Sequence, residues 1–300
     1  MTDRDTRPAG TRSIEALTDE FRERDYITDR SLATAVFLAL ELGRPLLLEG
    51  EAGVGKTELA KVLAASLGAP LIRLQCYEGL DVNTAVYEWN YPRQMLEIRL
   101  LEARGEAEQA TAHDIFGPDF LIRRPLLQAL ESTDGVAPVL LIDEIDRADE
   151  EFEAYLLEIL SDFQVTVPEI GTIKAEVPPR VILTSNRTRE VHDALKRRCL
   201  YHWIEYPSIE REVAIIRLRV PEAEPILADA VADAVARLRG MDLSKPPGPA
   251  EAIDWTRALH LVGAPPVDEA AANDTLGWVV KNREDQDRVG ADLAKVLGLG

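Results

Sequence analysis

Residues Gly50 to Thr57 read GEAGVGKT. It matches the pattern G-x-x-x-x-G-K-[ST], in which glycines let backbone N–H groups curl around a phosphate at a helix N-terminus. The apolar run PLLLEG (45–50) comes before the loop, and a segment with helical spacing of apolar residues follows it. Because the strand–loop–helix setting is complete, the stretch predicts a nucleotide phosphate site rather than a chance glycine turn.

Two side chains of this phosphate loop carry specific chemistry. Lys56 would neutralise the β and γ phosphates of the nucleotide, and the Thr57 hydroxyl would ligate Mg²⁺. The motif therefore predicts ATP and Mg²⁺ as cofactors. The residues expected to surround them are Gly50, Glu51, Ala52, Gly53, Val54, Gly55, Lys56 and Thr57.

Two adjacent carboxylates, Asp143 and Glu144, end the apolar run PVLLID (138–143) and begin the turn after it. At the end of a strand the chain turns, so one acid can hold Mg²⁺ while the next reaches the attacking water. We assign Asp143 to the metal and Glu144 to the general base. A solvated acid pair is the alternative, which the phosphate loop upstream disfavours.

Polar residues near two later strands complete the candidate site. Asn186 closes the run RVILTSN (180–186), where its amide could orient the water or sense the γ phosphate, although alone it is typical of a turn. Arg197 and Arg198 precede the run CLYHWIEY (199–206). An arginine far from its own phosphate loop can serve the nucleotide of a neighbouring subunit. A solvated basic pair is the alternative.

Short apolar runs alternate with helical patterns and predict a mostly parallel α/β sheet. The expected strands are 45–50, 71–76, 138–143, 180–186 and 199–206. Residues 92–130 interrupt this pattern as a charged insertion, and Gln164 to Val177 read as a β-hairpin. After Pro207 only helical patterns follow. The predicted organisation is a disordered tail (1–12), a nucleotide-binding domain (13–207) and a small helical domain (208–300).

The charge of the chain disfavours nucleic acid as its main partner. Its 300 residues contain 53 acidic and 34 basic side chains, for a formal net charge of −19, which repels a phosphate backbone. The longest mainly apolar run, residues 32–40, is about half of the ~20 residues that a membrane-spanning helix needs. The first twelve residues lack the apolar segment of a signal peptide. We expect a cytoplasmic protein without membrane insertion.

This ordered set of motifs resembles the AAA+ ATPases, over residues 27–260. The stretch LIDEIDRADEEFEAYLLEILSDFQVTV (141–167) is similar to the acidic motif, helix and hairpin of the MoxR family. The resemblance implies an α/β AAA+ P-loop core with a parallel sheet of order 5-1-4-3-2. It also implies a pre-sensor β-hairpin at 164–177, a helix-2 insertion at 92–130 and an all-helical lid domain.

Within that family, LQCYEGLDVNTAVYEWNYPRQM (74–95) resembles the CoxD-type accessory ATPases of molybdenum carbon monoxide dehydrogenase. The resemblance implies a ring homo-oligomer, usually a hexamer, that remodels or matures a metalloenzyme client with a partner carrying a von Willebrand A domain. By motif position Arg198 is the arginine finger, the side chain that serves the nucleotide of the neighbouring subunit, and Arg197 is the second candidate. The ATP-site residues do not separate this task from gas-vesicle assembly or metal chelation. A small-molecule P-loop kinase and a DNA-acting AAA+ motor are further alternatives.

Two features of the sequence leave their roles open. Relatives place an arginine at the start of a lid helix, but here KPPGPAEAIDWTRAL (245–259) has Ala250 and Glu251 at that point. Lys245 and Arg257 are weak replacements. The second feature is a set of aromatic residues that either packs the insertion onto the core or contacts a client: Tyr77, Tyr87, Trp89 and Tyr91.

Overall fold

The computed structural model describes residues 11–105, 116–131, 135–263 and 267–299. Residues 1–10 of the expected disordered tail lie outside this part, as do residues 106–115 of the expected insertion. The described strands are β1 (Leu46–Gly50), β2 (Leu71–Gln75), β3 (Tyr87–Trp89), β4 (Leu121–Arg123), β5 (Val139–Asp143), β6 (Gln164–Val167), β7 (Gly171–Lys174), β8 (Arg180–Ser185) and β9 (Leu200–Ile204).

The central sheet has the order β2-β5-β8-β1-β9, and its neighbouring strands are parallel. Counting only these five strands along the chain, the order from the β9 edge is 5-1-4-3-2, which confirms the expected topology. Every residue of β1 and β5 is buried, because helices cover both faces of the sheet. The carboxyl ends of β1, β5 and β8 therefore meet at one edge, where the phosphate loop begins.

Two small antiparallel sheets stand beside the central one. Strands β6 and β7 pair from Gln164↔Lys174 to Val167↔Gly171, which confirms the predicted hairpin. Strands β3 and β4 pair from Tyr87↔Arg123 to Trp89↔Leu121 and were not predicted. Three residues are too few for the alternation of apolar and polar side chains that identifies a strand in a sequence.

The described α-helices are α1 (Ile14–Glu23), α2 (Arg30–Leu42), α3 (Lys56–Leu67), α4 (Val82–Ala85), α5 (Tyr91–Arg104), α6 (Pro125–Leu130), α7 (Glu150–Asp162), α8 (Asp193–Arg198), α9 (Ile209–Arg219), α10 (Pro225–Arg239), α11 (Pro249–Leu261), α12 (Glu269–Val279), α13 (Arg283–Ala291) and α14 (Leu293–Leu297). Short 3₁₀ turns occupy Pro118–Phe120 and Ile145–Arg147. Among the described residues beyond Ile204 the secondary structure is helical.

The C-terminal helices α9 to α14 enclose a hydrophobic core of their own, with Trp255 fully buried at its centre. Its first helix, α9, is capped by Ser208, whose hydroxyl accepts a hydrogen bond from the Arg211 N–H at 3.3 Å. Glu212, the residue after Arg211, is buried and pairs with Arg239 at 2.6 Å. We refer to this helical region as the lid.

The aromatic residues after β2 divide into two groups. Trp89 is only 8% exposed and makes edge-to-face contacts with Tyr87 and Phe116, at centroid distances of 6.2 and 5.3 Å. Tyr77 and Tyr91 are 45% and 62% exposed. The packing interpretation therefore fits Tyr87 and Trp89, whereas Tyr77 and Tyr91 present aromatic surface to the outside.

The two cysteines, Cys76 and Cys199, are free thiols, and burial raises the pKa of each to about 12. Over the described ranges, no helix has the length and apolar character needed to cross a membrane.

Candidate nucleotide site

The phosphate loop turns away from β1 at positions where a side chain would collide or strain the backbone. A Cβ at Gly50 would lie 2.4 Å from the Ile204 carbonyl oxygen of the adjacent strand β9. Gly53 and Gly55 have φ angles of +78° and +94°, in the region that glycine adopts without cost. The glycines of the motif are thus required by the path of the chain, and they bring the loop over the end of the sheet.

A cavity of about 300 Å³ opens above the loop, at the carboxyl ends of β5 and β8. It brings together five of the predicted site residues, Lys56, Thr57, Asp143, Glu144 and Asn186. Residues 52–55 of the loop line the same cavity, together with Glu58, Lys61, Thr184 and Ala250. Gly50 and Glu51 contribute through their backbone, as the contacts of Lys56 make clear.

Lys56 is 7% exposed, and its ammonium group donates to the carbonyl oxygens of Gly50 and Glu51, both at 2.7 Å. Burial lowers the pKa of Lys56, while the nearby carboxylates of Asp146 and Glu51 act in the opposite direction. The side chain therefore rests on its own loop. A polyphosphate in the cavity would offer this cation a charged partner in place of two carbonyl groups.

Asp143 is 2% exposed, and hydroxyl groups on two sides hold its carboxylate. The Thr184 hydroxyl donates to Oδ1 at 2.5 Å, and the Thr57 hydroxyl donates to the same oxygen at 3.0 Å. A hydroxyl and a carboxylate in contact are the hard oxygen ligands that Mg²⁺ takes in nucleotide sites. Thr57 and Asp143 therefore fit the metal that the motif implies.

Glu144 leaves the strand with φ +55° and ψ +50°, a left-handed conformation that is uncommon for a residue with a side chain. Its N–H donates to the Thr184 hydroxyl at 2.9 Å, which fixes the turn. Its carboxylate oxygen Oε2 accepts a hydrogen bond from Gln75 at 3.0 Å and pairs with Arg147 at 3.0 Å. This turn separates the two acids, so that they can take different tasks.

Asp146 holds the Asn186 loop in place. Asp146 is 3% exposed, and its carboxylate accepts hydrogen bonds from the backbone N–H groups of Asn186 and Thr188, at 3.2 and 2.9 Å. The Thr188 hydroxyl donates to the same carboxylate at 2.7 Å. Asn186 consequently reaches the cavity from a loop that is bonded to the acidic motif.

Arg197 and Arg198 end helix α8 and lie outside the cavity as the described residues form it. Both are exposed. The Arg44 side chain donates to their backbone carbonyl groups at 2.9 and 3.3 Å, and the Arg198 guanidinium donates to the Leu157 carbonyl. The structure therefore keeps both arginines away from the nucleotide site of their own chain.

The lid touches the phosphate loop through backbone atoms. Ala250 lines the cavity, and its N–H donates to the Gly53 carbonyl at 3.3 Å. A Cβ at Gly248 would lie 2.7 Å from the Ala52 carbonyl oxygen. Arg257 donates instead to the Arg219 carbonyl at 3.1 Å, and Lys245 also lies outside the cavity that the described residues enclose.

A second, more apolar cavity of about 210 Å³ shares Gly53, Val54, Gly55, Glu58 and Ala250 with the first. Its other walls come from the segment before α2 and from the lid: Asp25, Tyr26, Ile27, Ile215, Arg219, Pro249 and Ile253. An apolar cavity beside a phosphate cavity suits the base of a nucleotide. Single motifs do not predict it, because three separate segments form its walls.

The sequence motifs also missed two residues of β2. These are Arg73, which contacts Asp143, and Gln75, which contacts Glu144. Both contacts follow from register, since Gln75 pairs with Asp143 and Arg73 pairs with Leu141 across the parallel strands. Polar residues in the run LIRLQC (71–76) were the available signal. Thr184 was likewise present in the run RVILTSN, but only the structure places it between Asp143 and Glu144.

Comparison with known proteins agrees with the fold. The family model for the AAA domain (dynein-related subfamily) matches residues 45–199. A single-residue variant of RuvB from Thermotoga maritima superposes with a TM-score of 0.50 at 20% sequence identity, covering 98% of this chain and 81% of that one. At this identity the likeness concerns the fold alone.

Among curated proteins, the chain is 29% identical over 184 residues to the uncharacterized protein YehL of Escherichia coli, covering 58% of this chain. It is 27% identical over 192 residues to the uncharacterized protein SH1500 of Staphylococcus haemolyticus, covering 61% of this chain. The matched part spans 45% of YehL and 64% of SH1500, less than two thirds of either.

Proposed function

Because the chain belongs to the AAA domain family, in its dynein-related subfamily, we propose that it is an ATP-hydrolysing AAA+ chaperone of MoxR type. A general ATPase activity follows from the family, and the remodelling of a client protein complex is the further step proposed here. The observation that carries the proposal is the single cavity shared by Lys56, Thr57, Asp143, Glu144 and Asn186.

Each of these residues has a task in hydrolysis. Lys56 would exchange its two carbonyl partners for the β and γ phosphates, and Thr57 and Asp143 would hold Mg²⁺. The metal supplies charge neutralisation for the phosphates when it is bound. Glu144 accepts the proton of the attacking water, and Asn186 orients that water or the γ phosphate.

The arginine pair supports a ring in which nucleotide lies between subunits. Arg197 and Arg198 are exposed and lie outside their own cavity, so we assign them to the neighbour's nucleotide, with Arg198 preferred by motif position. Such an arginine contributes roughly 10³ to 10⁵ in rate. A homo-oligomeric ring, a hexamer by the MoxR resemblance, is the assembly that this arrangement needs.

Mixing two inactive variants tests the ring directly. The first is Glu144→Gln, which keeps its arginines, and the second is Arg197→Ala with Arg198→Ala, which keeps its base. Mixed rings contain interfaces with both groups intact, so we expect the mixture to regain part of the ATPase activity. A mixture that stays inactive while both variants assemble would contradict the assignment. A wild-type monomer whose specific activity is independent of protein concentration would favour a small-molecule kinase.

The client is proposed to be a metalloenzyme such as molybdenum carbon monoxide dehydrogenase, reached with a von Willebrand A domain partner. The support is the resemblance of residues 74–95 to the CoxD-type subgroup, together with the exposure of Tyr77 and Tyr91 in that segment. Trapping ATP-bound Glu144→Gln protein in its host and identifying the co-purifying proteins tests this. Gas-vesicle or chelatase subunits among them would favour the alternative assembly tasks.

The formal charge of −19 argues against a DNA-acting motor, in spite of the fold shared with RuvB. ATPase activity that DNA stimulates, and that salt suppresses steeply, would overturn this part of the proposal.

A further inference from the structure

The guanidinium group of Arg73 bonds one oxygen of Asp143, Oδ2, whereas the Thr184 hydroxyl bonds the other, Oδ1. Arg73 donates to Oδ2 of Asp143 through Nη2 at 2.6 Å and through Nε at 3.0 Å. These two donors therefore reach the same oxygen of Asp143, whose side chain is 3% exposed. Arg73 itself is 51% exposed, so the buried acid is neutralised by an arginine that borders solvent.

Asp143 is also the acid assigned to the metal, and its two oxygens are already engaged. Oδ1 accepts hydrogen bonds from Thr57 and Thr184, and Oδ2 accepts those from Arg73 and a longer one from Thr57 at 3.3 Å. Mg²⁺ needs a lone pair of this carboxylate at about 2 Å. A guanidinium held on the same carboxylate would repel the metal, since two cations a few ångströms apart in a partly buried site oppose each other strongly.

We propose that Arg73 is the counter-cation of Asp143 in the nucleotide-free protein and that Mg²⁺ entering with the nucleotide displaces it. This inference rests on the proposed magnesium–nucleotide site. The ion pair between Arg73 and Asp143 then determines the Mg²⁺ concentration that is needed for the metal and nucleotide to bind. The exposed position of Arg73 gives its guanidinium a path into solvent when it leaves Asp143.

The departure of Arg73 also reaches the second acid. Nη2 of Arg73 donates to Oε1 of Gln75, and Nε2 of the same amide donates to Glu144 at 3.0 Å. Gln75 is therefore hydrogen-bonded both to Arg73, which contacts the acid assigned to the metal, and to Glu144, the acid assigned to the base. Loss of the Arg73 contact would therefore remove one hydrogen bond of the Gln75 amide and leave its bond to Glu144.

The test measures nucleotide binding and thermal unfolding against Mg²⁺ concentration. Arg73→Met keeps most of the side-chain volume and removes the charge. We expect the Mg²⁺ midpoint for binding of a fluorescent ATP analogue to fall by about fivefold, the value of one partly exposed ion pair. Without metal the variant should unfold at a lower temperature than wild type, and Mg²⁺ alone should raise that temperature more in the variant.

Two further variants make the result specific. Arg73→Lys keeps a positive charge without the paired donors, so its Mg²⁺ midpoint should lie between those of wild type and Arg73→Met. Arg123→Met removes an ion pair with Glu131 from a side chain of similar exposure, 41%, and should leave the midpoint unchanged.

An unchanged or higher midpoint in Arg73→Met overturns the proposal, provided that wild type binds the nucleotide with Mg²⁺. If Arg73→Met does not fold, the midpoint of Arg73→Lys decides in the same way. Wild-type protein that binds no nucleotide at any Mg²⁺ concentration contradicts the proposed function instead.

Discussion

The side-chain amide of Gln75 donates a hydrogen bond to Oε2 of Glu144 at 3.0 Å, and Arg147 pairs with the same oxygen at 3.0 Å. The carboxylate assigned to the general base is therefore bonded to two side chains of its own chain. Gln75 ends β2 in direct register with Asp143, and the segment with the exposed Tyr77 follows it at once. A contact made by that segment can thus reach the base through a single amide.

Replacing Gln75 with Leu removes one of the two partners of Glu144 and leaves the cavity lining intact. We expect kcat for ATP hydrolysis to rise by about tenfold, because a hydrogen bond to a charged group contributes about 1.5 kcal/mol and its loss leaves the carboxylate freer to accept a proton. KM should stay unchanged. The measurement is steady-state ATPase activity against ATP concentration. Gln128→Leu, which removes an exposed amide bonded to the Arg123 carbonyl, is the control. A fall in kcat would instead indicate that Gln75 orients the base for attack.

Gly248 allows the lid to approach the phosphate loop. In Gly248→Ala the new Cβ would lie 2.7 Å from the Ala52 carbonyl oxygen and 3.1 Å from the Gly53 carbonyl carbon, both backbone atoms that cannot swing aside. The lid helix must move away, and we expect ATP affinity to fall about tenfold, with a loss of about 1 to 3 kcal/mol in the free energy of unfolding. Equilibrium nucleotide titration and urea unfolding measure the two effects.

Gly290 provides the matched control for Gly248→Ala. It lies within helix α13, and a Cβ there would meet no atom within 4 Å. Gly290→Ala should raise the free energy of unfolding by about 0.5 to 1 kcal/mol, through helix propensity, and leave ATP affinity unchanged. Equal nucleotide affinities in the two alanine variants would show that the lid contact is not needed for binding.

Arg239 neutralises Glu212 inside the lid, where the two side chains are 11% and 1% exposed. Arg239→Met leaves this carboxylate buried without a partner, so we expect a loss of about 3 to 5 kcal/mol in the free energy of unfolding at pH 8. Chemical denaturation measures it. The additional change Glu212→Gln should recover part of the loss, because it removes the buried charge. If Arg239→Met and the double variant lose similar free energies of unfolding, Arg239 acts through packing against Tyr206.

The same variant has a defined pH dependence. Burial raises the pKa of Glu212, and Arg239 partly opposes this. Without Arg239 the folded-state pKa moves further above the ordinary value of 4.5, so the folded protein binds a proton that the unfolded chain releases. The destabilisation by Arg239→Met should therefore be greatest above the folded-state pKa and shrink as the pH falls toward 4.5. A loss that stays constant over this range would contradict the electrostatic explanation.

The division of the aromatic residues into buried and exposed groups predicts different mutant behaviour. Trp89→Ala removes a buried ring and should cost about 3 to 5 kcal/mol in the free energy of unfolding. Tyr91→Ala, at a site 62% exposed, should change it by less than about 0.5 kcal/mol. If Tyr91 contacts the client, its alanine variant loses co-purifying client while keeping ATPase activity and assembly. If Tyr91→Ala still co-purifies with the client, Tyr91 does not contact it, and the aromatic segment has a packing role.

The sequence predicts those parts of this protein that depend on local patterns. All five strands of the central sheet were expected within two residues at either end, because buried parallel strands read as continuous apolar runs. The catalytic candidates were found through short motifs. The contacts of Arg73 and Gln75 were missed because they depend on the register of strands about seventy residues apart, which no local pattern encodes. The lid contact was missed because Gly248 and Ala250 act through backbone atoms.

The assignment of Glu144 as the general base of an ATP-hydrolysing site can be tested by one paired measurement. ATP binding and steady-state hydrolysis are measured on the same preparations of wild type and Glu144→Gln. We predict that the variant binds ATP with Mg²⁺ as tightly as wild type, since Lys56, Thr57 and Asp143 are intact, while its turnover falls by about 10² or more. Turnover by Glu144→Gln at the wild-type rate would contradict the account.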